Sequence, residues 1–261
     1  MINLSFSIYD LEYFLLILTR VSCFVFVAPF FSIKNTPARI RIGLSIFTAV
    51  LLYQTLSPAE AVMYDSVMEY ALIVTKEAIT GFIIGLGAYV CTSIVNFAGS
   101  IADMEIGLSM VTLWDPTTQQ NSSITGVFYQ YVLTMMLIAS GMYRYLFGAL
   151  ADTFTLIPIN GAVFRSDALL STVITFLSDY IIIGFRIVLP VFCVILIMNA
   201  VLGVLAKVSP QLNMFSVGIQ LKIIVGLAVM FFVSGMLTGI ADFIFQEMQK
   251  LITAFVNDIM P

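Results

Sequence analysis

The sequence predicts an all-α integral membrane protein, and three observations carry that expectation. Of 261 residues, 61% are hydrophobic and only 10% are charged, against about 25% charged in ordinary soluble domains. Residues 78–102 and 116–143 contain no Asp, Glu, Lys or Arg at all, and each stretch can cross a hydrocarbon core of about 30 Å as a helix. The apolar runs are continuous rather than alternating, which excludes the pattern of a transmembrane β-barrel.

Six hydrophobic helical segments are expected, at 13–33, 42–59, 78–102, 116–143, 168–206 and 223–241. The residues before the first include Asp10 and Glu12 but no Lys or Arg. A cleavable signal peptide opens with positive charge, so this segment reads as part of the mature protein. Lys34, Arg39 and Arg41 place the first connection on the cytoplasmic side, and Glu60, Asp65 and Glu69 suit the next one outside. Six crossings then put 103–123 inside. That stretch carries Asp103, Glu105 and Asp115 with no basic residue, so it is not expected to be an ordinary solvent loop.

The fifth segment is too long for one crossing. As a continuous helix it would reach about 58 Å at 1.5 Å per residue. It contains Asp179 and Arg186, seven residues apart and so on one helical face, read here as an ion pair. Pro190 is expected to kink or break it. Residues 207–222 read as the tip of a helical hairpin: Lys207 and Lys222 flank it, Pro210 ends a helix, and Gln211 and Asn213 can satisfy freed backbone groups before Phe215. Residues 242–261 place Phe243, Met248, Leu251 and Phe255 on an amphipathic or continued helix.

Several function classes drop out. The chain has no His, which removes Ser-His-Asp and Cys-His catalysis and the usual zinc sites. Cys23, Cys91 and Cys193 sit in apolar sequence without metal-ligand spacing. No Gly-rich phosphate loop is present, and the scattered basic residues make no nucleic-acid footprint. No enzyme, cofactor or metal is expected.

What stands out is misplaced charge. Arg20, Lys76, Glu77, Arg144, Asp152, Asp179 and Arg186 interrupt apolar sequence, and each costs about 2.5–3.5 kcal/mol at the centre of a lipid-facing helix. As a set they suit protein-facing or water-lined positions, with Glu77, Asp179 and Arg186 as candidates for ion pairs between helices or subunits. Asp103 and Glu105, two apart, point to different helix faces and make a poor acid–base dyad; they read instead as carboxylates bordering an aqueous route. After Gly107 come Met110, Val111, Leu113 and Trp114, then Asp115-Pro116. An apolar loop with flexible Met, Gly and Pro suits occlusion of a pore; the alternative on these residues alone is a simple interfacial turn anchored by Trp114.

At these residues the sequence resembles the FliR family of the flagellar type III protein-export gate, called SctT in injectisomes. The resemblance covers essentially the whole chain. It is carried by Ala28-Pro29-Phe30 with Pro37 and Arg39, by Lys76-Glu77 with Gly81 and Gly85, by Gly99 to Pro116, by Gly141 to Pro158, and by Asn199 to Gly226. The resemblance implies a FliP-like helical part at 1–165 with a plug-like loop at about 107–123, and a FliQ-like long helical hairpin at 166–261. It also implies FliP-type and FliQ-type partner subunits, a FlhB-type switch protein, unfolded exported proteins as cargo, and the bacterial inner membrane at the flagellar basal body. The leading expectation is an export-gate component that helps form and close a channel for unfolded flagellar proteins. The alternatives are a stand-alone secondary transporter or ion channel, and an assembly scaffold with no role in lining the lumen.

Overall fold

Helix α1, Ile8–Val27, stops just before Ala28-Pro29, where a coming proline disfavours helical backbone in the residue ahead of it. The computed structural model describes residues 8–29, 31, 36–56, 64–109, 123–209, 211 and 214–261. Helix α2, Ala38–Thr55, starts directly after Pro37. Helix α3, Val67–Ile106, runs for 40 residues with Glu69 in its first turn, where a carboxylate complements the helix dipole. It ends at Gly107, whose φ of +94° is left-handed and whose N–H donates to the Asp103 carbonyl at 3.0 Å. Residues 110–122, which include most of the expected plug-like loop, lie outside the described residues.

Helix α4, Ile124–Ala139, is opened by Ser123, whose hydroxyl accepts the Gly126 N–H at 2.8 Å. Helix α5, Met142–Leu156, follows at a bend of 71°. Gly141 makes the corner with φ of +78°, a conformation glycine adopts without steric cost. Helix α6, Ser166–Val208, is 43 residues long, with Asp167 in its first turn and Lys207 in its last. Helix α7, Met214–Val233, continues through a short 3-10 turn, Ser234–Met236, into helix α8, Leu237–Ile259.

The described residues are therefore helical, as the sequence predicts, and several of the helices are longer than one crossing needs. Three are long and apolar enough to span a membrane, Val67–Ile106, Ser166–Val208 and Ser216–Ile259, or four if the bent pair α4–α5 counts as one. The segment expected at 78–102 is only part of α3, which continues through Glu69, Lys76 and Glu77. The segment expected at 116–143 is helical only from Ile124 and turns sharply before Met142. Pro190 does not break α6. Its missing N–H costs only the hydrogen bond to the carbonyl four residues earlier, a loss that membrane helices absorb.

Two compact units emerge. The first comprises Met1–Cys91, Gly141–Thr175 and Glu247–Pro261; the second comprises Thr92–Ser140 and Phe176–Gln246. In the first, α1 crosses α3 so closely that a Cβ on Gly81 would lie 2.1 Å from the Arg20 carbonyl oxygen. The C-terminal end of α8 is amphipathic, burying Met248, Leu251, Ile252, Phe255, Val256 and Ile259. It is tied to the connection before α6 and to that helix's first turns. Val163 N–H donates to the Ile259 carbonyl at 3.0 Å, Arg165 Nη2 to the Met260 carbonyl at 3.1 Å, and Thr172 Oγ1 to Asp258 Oδ2 at 2.6 Å. In the second unit α3 and α4 run antiparallel, and a Cβ on Gly99 would lie 2.2 Å from Gly126 Cα.

Candidate functional site

Glu77 is fully buried in the first unit, and so is Arg20 on α1. Arg20 Nε donates to Glu77 Oε2 at 2.6 Å. Arg20 Nη1 donates to the Thr153 carbonyl at 3.1 Å and to the Ile157 carbonyl at 3.0 Å, both at the end of α5. The guanidinium carbon stands 4.3 Å from the centre of the Phe154 ring. The other Glu77 oxygen, Oε1, accepts the Asn160 N–H at 3.0 Å. Asn160 has φ of +65° in the turn after α5, and its side-chain oxygen accepts from Lys76 Nζ at 3.2 Å. One ion pair thus draws α1, α3 and the end of α5 together and grips the turn that follows. A buried charge pair stabilises best when its remaining lone pairs and protons are also satisfied; here the backbone of α5 and of that turn supplies partners for Arg20 Nη1 and Glu77 Oε1, and Arg20 Nη2 is buried without a hydrogen-bond partner among the described residues.

The second unit carries the base of the 107–123 segment. Asp103, in the last turn of α3, is 2% exposed. Both of its carboxylate oxygens accept the Thr125 N–H at 3.3 Å, and Oδ1 also takes a short hydrogen bond from Thr125 Oγ1. The carboxylate therefore caps α4 from another helix, satisfying an N–H that the first turn leaves free. Two turns back, Asn96 Nδ2 donates to Gln130 Oε1 at 3.1 Å. With the Gly99–Gly126 approach between them, these contacts make a polar and small-residue seam that fixes where the chain leaves α3 and where it enters α4.

Comparison with known proteins fits this architecture. Residues 11–248 match the family described as "Bacterial export proteins, family 1". The flagellar biosynthetic protein FliR of Bacillus subtilis (strain 168) is 32% identical over 222 residues, covering 84% of this chain and 85% of that protein. The chain belongs to the FliR family. The FliR proteins of Escherichia coli (strain K12), 26% identical over 243 residues, and of Aquifex aeolicus (strain VF5), 27% identical over 242 residues, each align over more than 90% of both chains.

The structure distributes the sequence-predicted site residues of this FliR-family chain unevenly. Gly107 ends α3, while Met110, Val111, Leu113, Trp114, Asp115 and Pro116 lie outside the described residues. Glu105 is half-buried. Asp103, expected to border water, is instead enclosed by its bonds to Thr125, because an anionic side chain at the end of α3 meets free N–H at the start of α4. Glu77 is in an ion pair with Arg20. Asp179 and Arg186 are not paired with each other. Among the described residues the ion pairs are Arg20–Glu77 and Lys250–Glu247, and two helical turns separate Asp179 from Arg186 by about 10 Å along the axis. At the hairpin tip Lys207 and Gln211 are exposed, Lys222 is half-buried and Phe215 lies in the first turn of α7; Pro210 and Asn213 are outside the described residues.

Thr125 and Asn160 carry no signal in the sequence. Each acts through a tertiary hydrogen bond to a carboxylate 22 and 83 residues away, respectively. Arg20 is visible as a charge in an apolar run, but no spacing rule joins it to a residue 57 positions on.

Proposed function

We propose that this chain is a non-enzymatic subunit of the flagellar protein-export gate in the bacterial inner membrane at the basal body, helping to form and close the channel through which unfolded flagellar proteins pass. The observation that carries this reading is the clasp between Asp103 and Thr125. It holds together the two ends of the segment that contains Met110, Val111, Leu113 and Trp114, so that an apolar stretch starts and returns at one fixed place. Full-length membership of a family of bacterial export proteins, with relatives named as flagellar biosynthetic proteins, supports the same reading.

In this mechanism closure is steric. The apolar stretch occupies the route until a substrate or partner binds the open arrangement better and shifts the population. Glu105 and Asp115 border the aqueous path, where a charge costs far less than in lipid. Residues 1–165 form the FliP-like part and 166–261 the FliQ-like hairpin, with FliP-type and FliQ-type subunits as neighbours and a FlhB-type protein as the switch. Asp179 and Arg186 face those neighbours, and the 207–222 tip, with Pro210, Asn213 and Phe215, is a contact point for them.

Deleting residues 108–122 while keeping Asp103, Gly107, Ser123 and Thr125 tests the reading in cells. The assembled complex is expected to persist and to leak ions or small solutes. An assembled complex that stays sealed would leave only a scaffold role.

A further inference from the structure

Helix α7 rests on both sides of the clasp. A Cβ on Gly226 would lie 2.6 Å from Ile106 Cγ1 and 2.9 Å from Ile106 Cγ2, so the backbone of α7 sits directly on the last residue of α3. One turn further along α7, Met230 Sδ stands 3.7 Å from Thr125 Oγ1, in the first turn of α4. That hydroxyl has a single proton, and Asp103 Oδ1 takes it in the shorter bond. Met230 therefore covers the Asp103–Thr125 bond rather than sharing it. An apolar cover matters there, because a hydrogen bond to a charged group is stronger where the local dielectric is low and water does not compete.

The same helix is lightly held. Among the described residues of α7, those buried are Gly218, Gly226 and Val233, and two of these three have no side chain to bury. Few buried apolar groups put an element at the low-stability end of a fold. Its attachment to α8 is also jointed. The chain passes through the 3-10 turn Ser234–Met236, and such a turn inside a long helix often marks a hinge. Ser234 Oγ donates to the Phe231 carbonyl at 2.6 Å, a back-bond of the kind that bends helices. Gly235 stands in open space, so it does not serve to admit a neighbouring element among the described residues. A Ser-Gly pair is instead a place where helices flex.

We propose that α7 is a hinged arm that sets the strength of the clasp. Seated, it presses on Ile106 through Gly226 and covers Thr125 with Met230. Swung about Ser234–Met236, it parts both contacts together, since the two residues lie four apart on one helical face, and opens the Asp103–Thr125 bond to water. Gly226 and Met230 are thus positioning residues that act through Ile106, Asp103 and Thr125. The consequence for export rests on the gate reading above; the arm itself does not.

The test uses the full-length chain in its native membrane complex, with Cys23, Cys91 and Cys193 replaced by Ala and with Ile106→Cys and Gly226→Cys introduced. The approach of Gly226 to Ile106 puts the two Cβ positions within about 4 Å, a separation that suits a disulfide. Oxidation is expected to lock the arm and to slow hydrogen–deuterium exchange of the amides of residues 125–127 roughly tenfold or more relative to the same chain reduced. Those amides are on neither linked helix, so tethering α3 to α7 without a moving arm leaves them unchanged. Met230→Ala, which needs no disulfide, is expected to speed exchange there, and Met230→Leu, which keeps the cover, to leave it near the original rate. A cysteine pair that does not oxidise, equal exchange in the oxidised and reduced chain, or equal exchange in the alanine and leucine variants overturns the arm. Export of flagellar proteins is read on the same chains and is expected to fall on oxidation and return on reduction. Exchange that responds while export does not removes the gate reading and leaves the arm standing; exchange that does not respond removes the arm alone.

Discussion

Arg20 and Glu77, 57 residues apart in sequence, are a fully buried ion pair between α1 and α3, Nε to Oε2 at 2.6 Å. Its Arg20 end also holds the last carbonyls of α5, and its Glu77 end holds the turn at Asn160. Removing one partner leaves the other charge buried and alone, a loss of about 3–5 kcal/mol. Glu77→Ala and Arg20→Ala are each expected to lower the stability of the purified chain by that amount, read by thermal or denaturant unfolding in detergent. The double replacement of Arg20 by Met and Glu77 by Leu is expected to cost much less than the sum, because no lone charge remains. Strictly additive losses would mean the two side chains are not coupled.

The Asp103–Thr125 clasp yields a sharper comparison, since the two bonds from Thr125 can be separated. Thr125→Val removes the hydroxyl donor but keeps the N–H, while Thr125→Ser keeps both. Hydrogen bonds to a charged group contribute about 1.5–3 kcal/mol, so the valine variant is expected to lose that much stability and the serine variant a small fraction of it. Hydrogen–deuterium exchange at the first turn of α4 reads the local effect. Equal protection in both variants would assign the cap to the backbone bond alone.

The class of this protein was legible from composition and from long charge-free runs, because a membrane helix is specified by local hydropathy and length. The corners were less legible. Residues 116–143 read as one crossing, since hydropathy does not register that Gly141 adopts left-handed backbone. Pro190 pointed to a break that α6 does not have, because neighbours in the second unit, such as Phe97 against Gly184, hold the helix on the N-terminal side of the proline. Charges were easy to flag and hard to pair. Glu77 was marked as an ion-pair residue from its cost in lipid, yet Arg20 as its partner depends on a crossing at Gly81 that no sequence window contains. Asp179 and Arg186 share a face, as their spacing requires, but sharing a face does not bring side chains two turns apart into contact.

Gly141 is predicted to be the residue best suited to the α4–α5 corner. Its φ of +78° costs an L-residue about 1–2 kcal/mol, although open space surrounds the position where a Cβ would go. Gly141→Ala is therefore expected to destabilise the chain by about that amount through backbone strain alone, and Gly141→Asn by less, since Asn tolerates this region best among residues with a side chain. Matching melting temperatures for alanine and asparagine would show that the corner relaxes instead.

The chain's C-terminal residues act as a strap on the start of α6. Val163 N–H, Arg165 Nη2 and Thr172 Oγ1 all donate to acceptors within residues 258–260. Each ordinary hydrogen bond adds about 0.5–1.5 kcal/mol and those to a charged group about 1.5–3, so losing all three frees the 157–165 connection by several kcal/mol in total. Arg165 is exposed and lies one residue before α6 begins, which makes it the natural tryptic site once the strap is gone. When reclosing is faster than cleavage, proteolysis follows the population of the open form. Truncation after Asn257 is thus expected to speed cleavage at Arg165 roughly tenfold or more in the detergent-solubilised chain. Thr172→Val, which removes one bond and leaves two, is expected to give a smaller increase. Unchanged cleavage after truncation would show that the apolar packing of Ile252, Phe255 and Val256 holds this end in place without the three bonds.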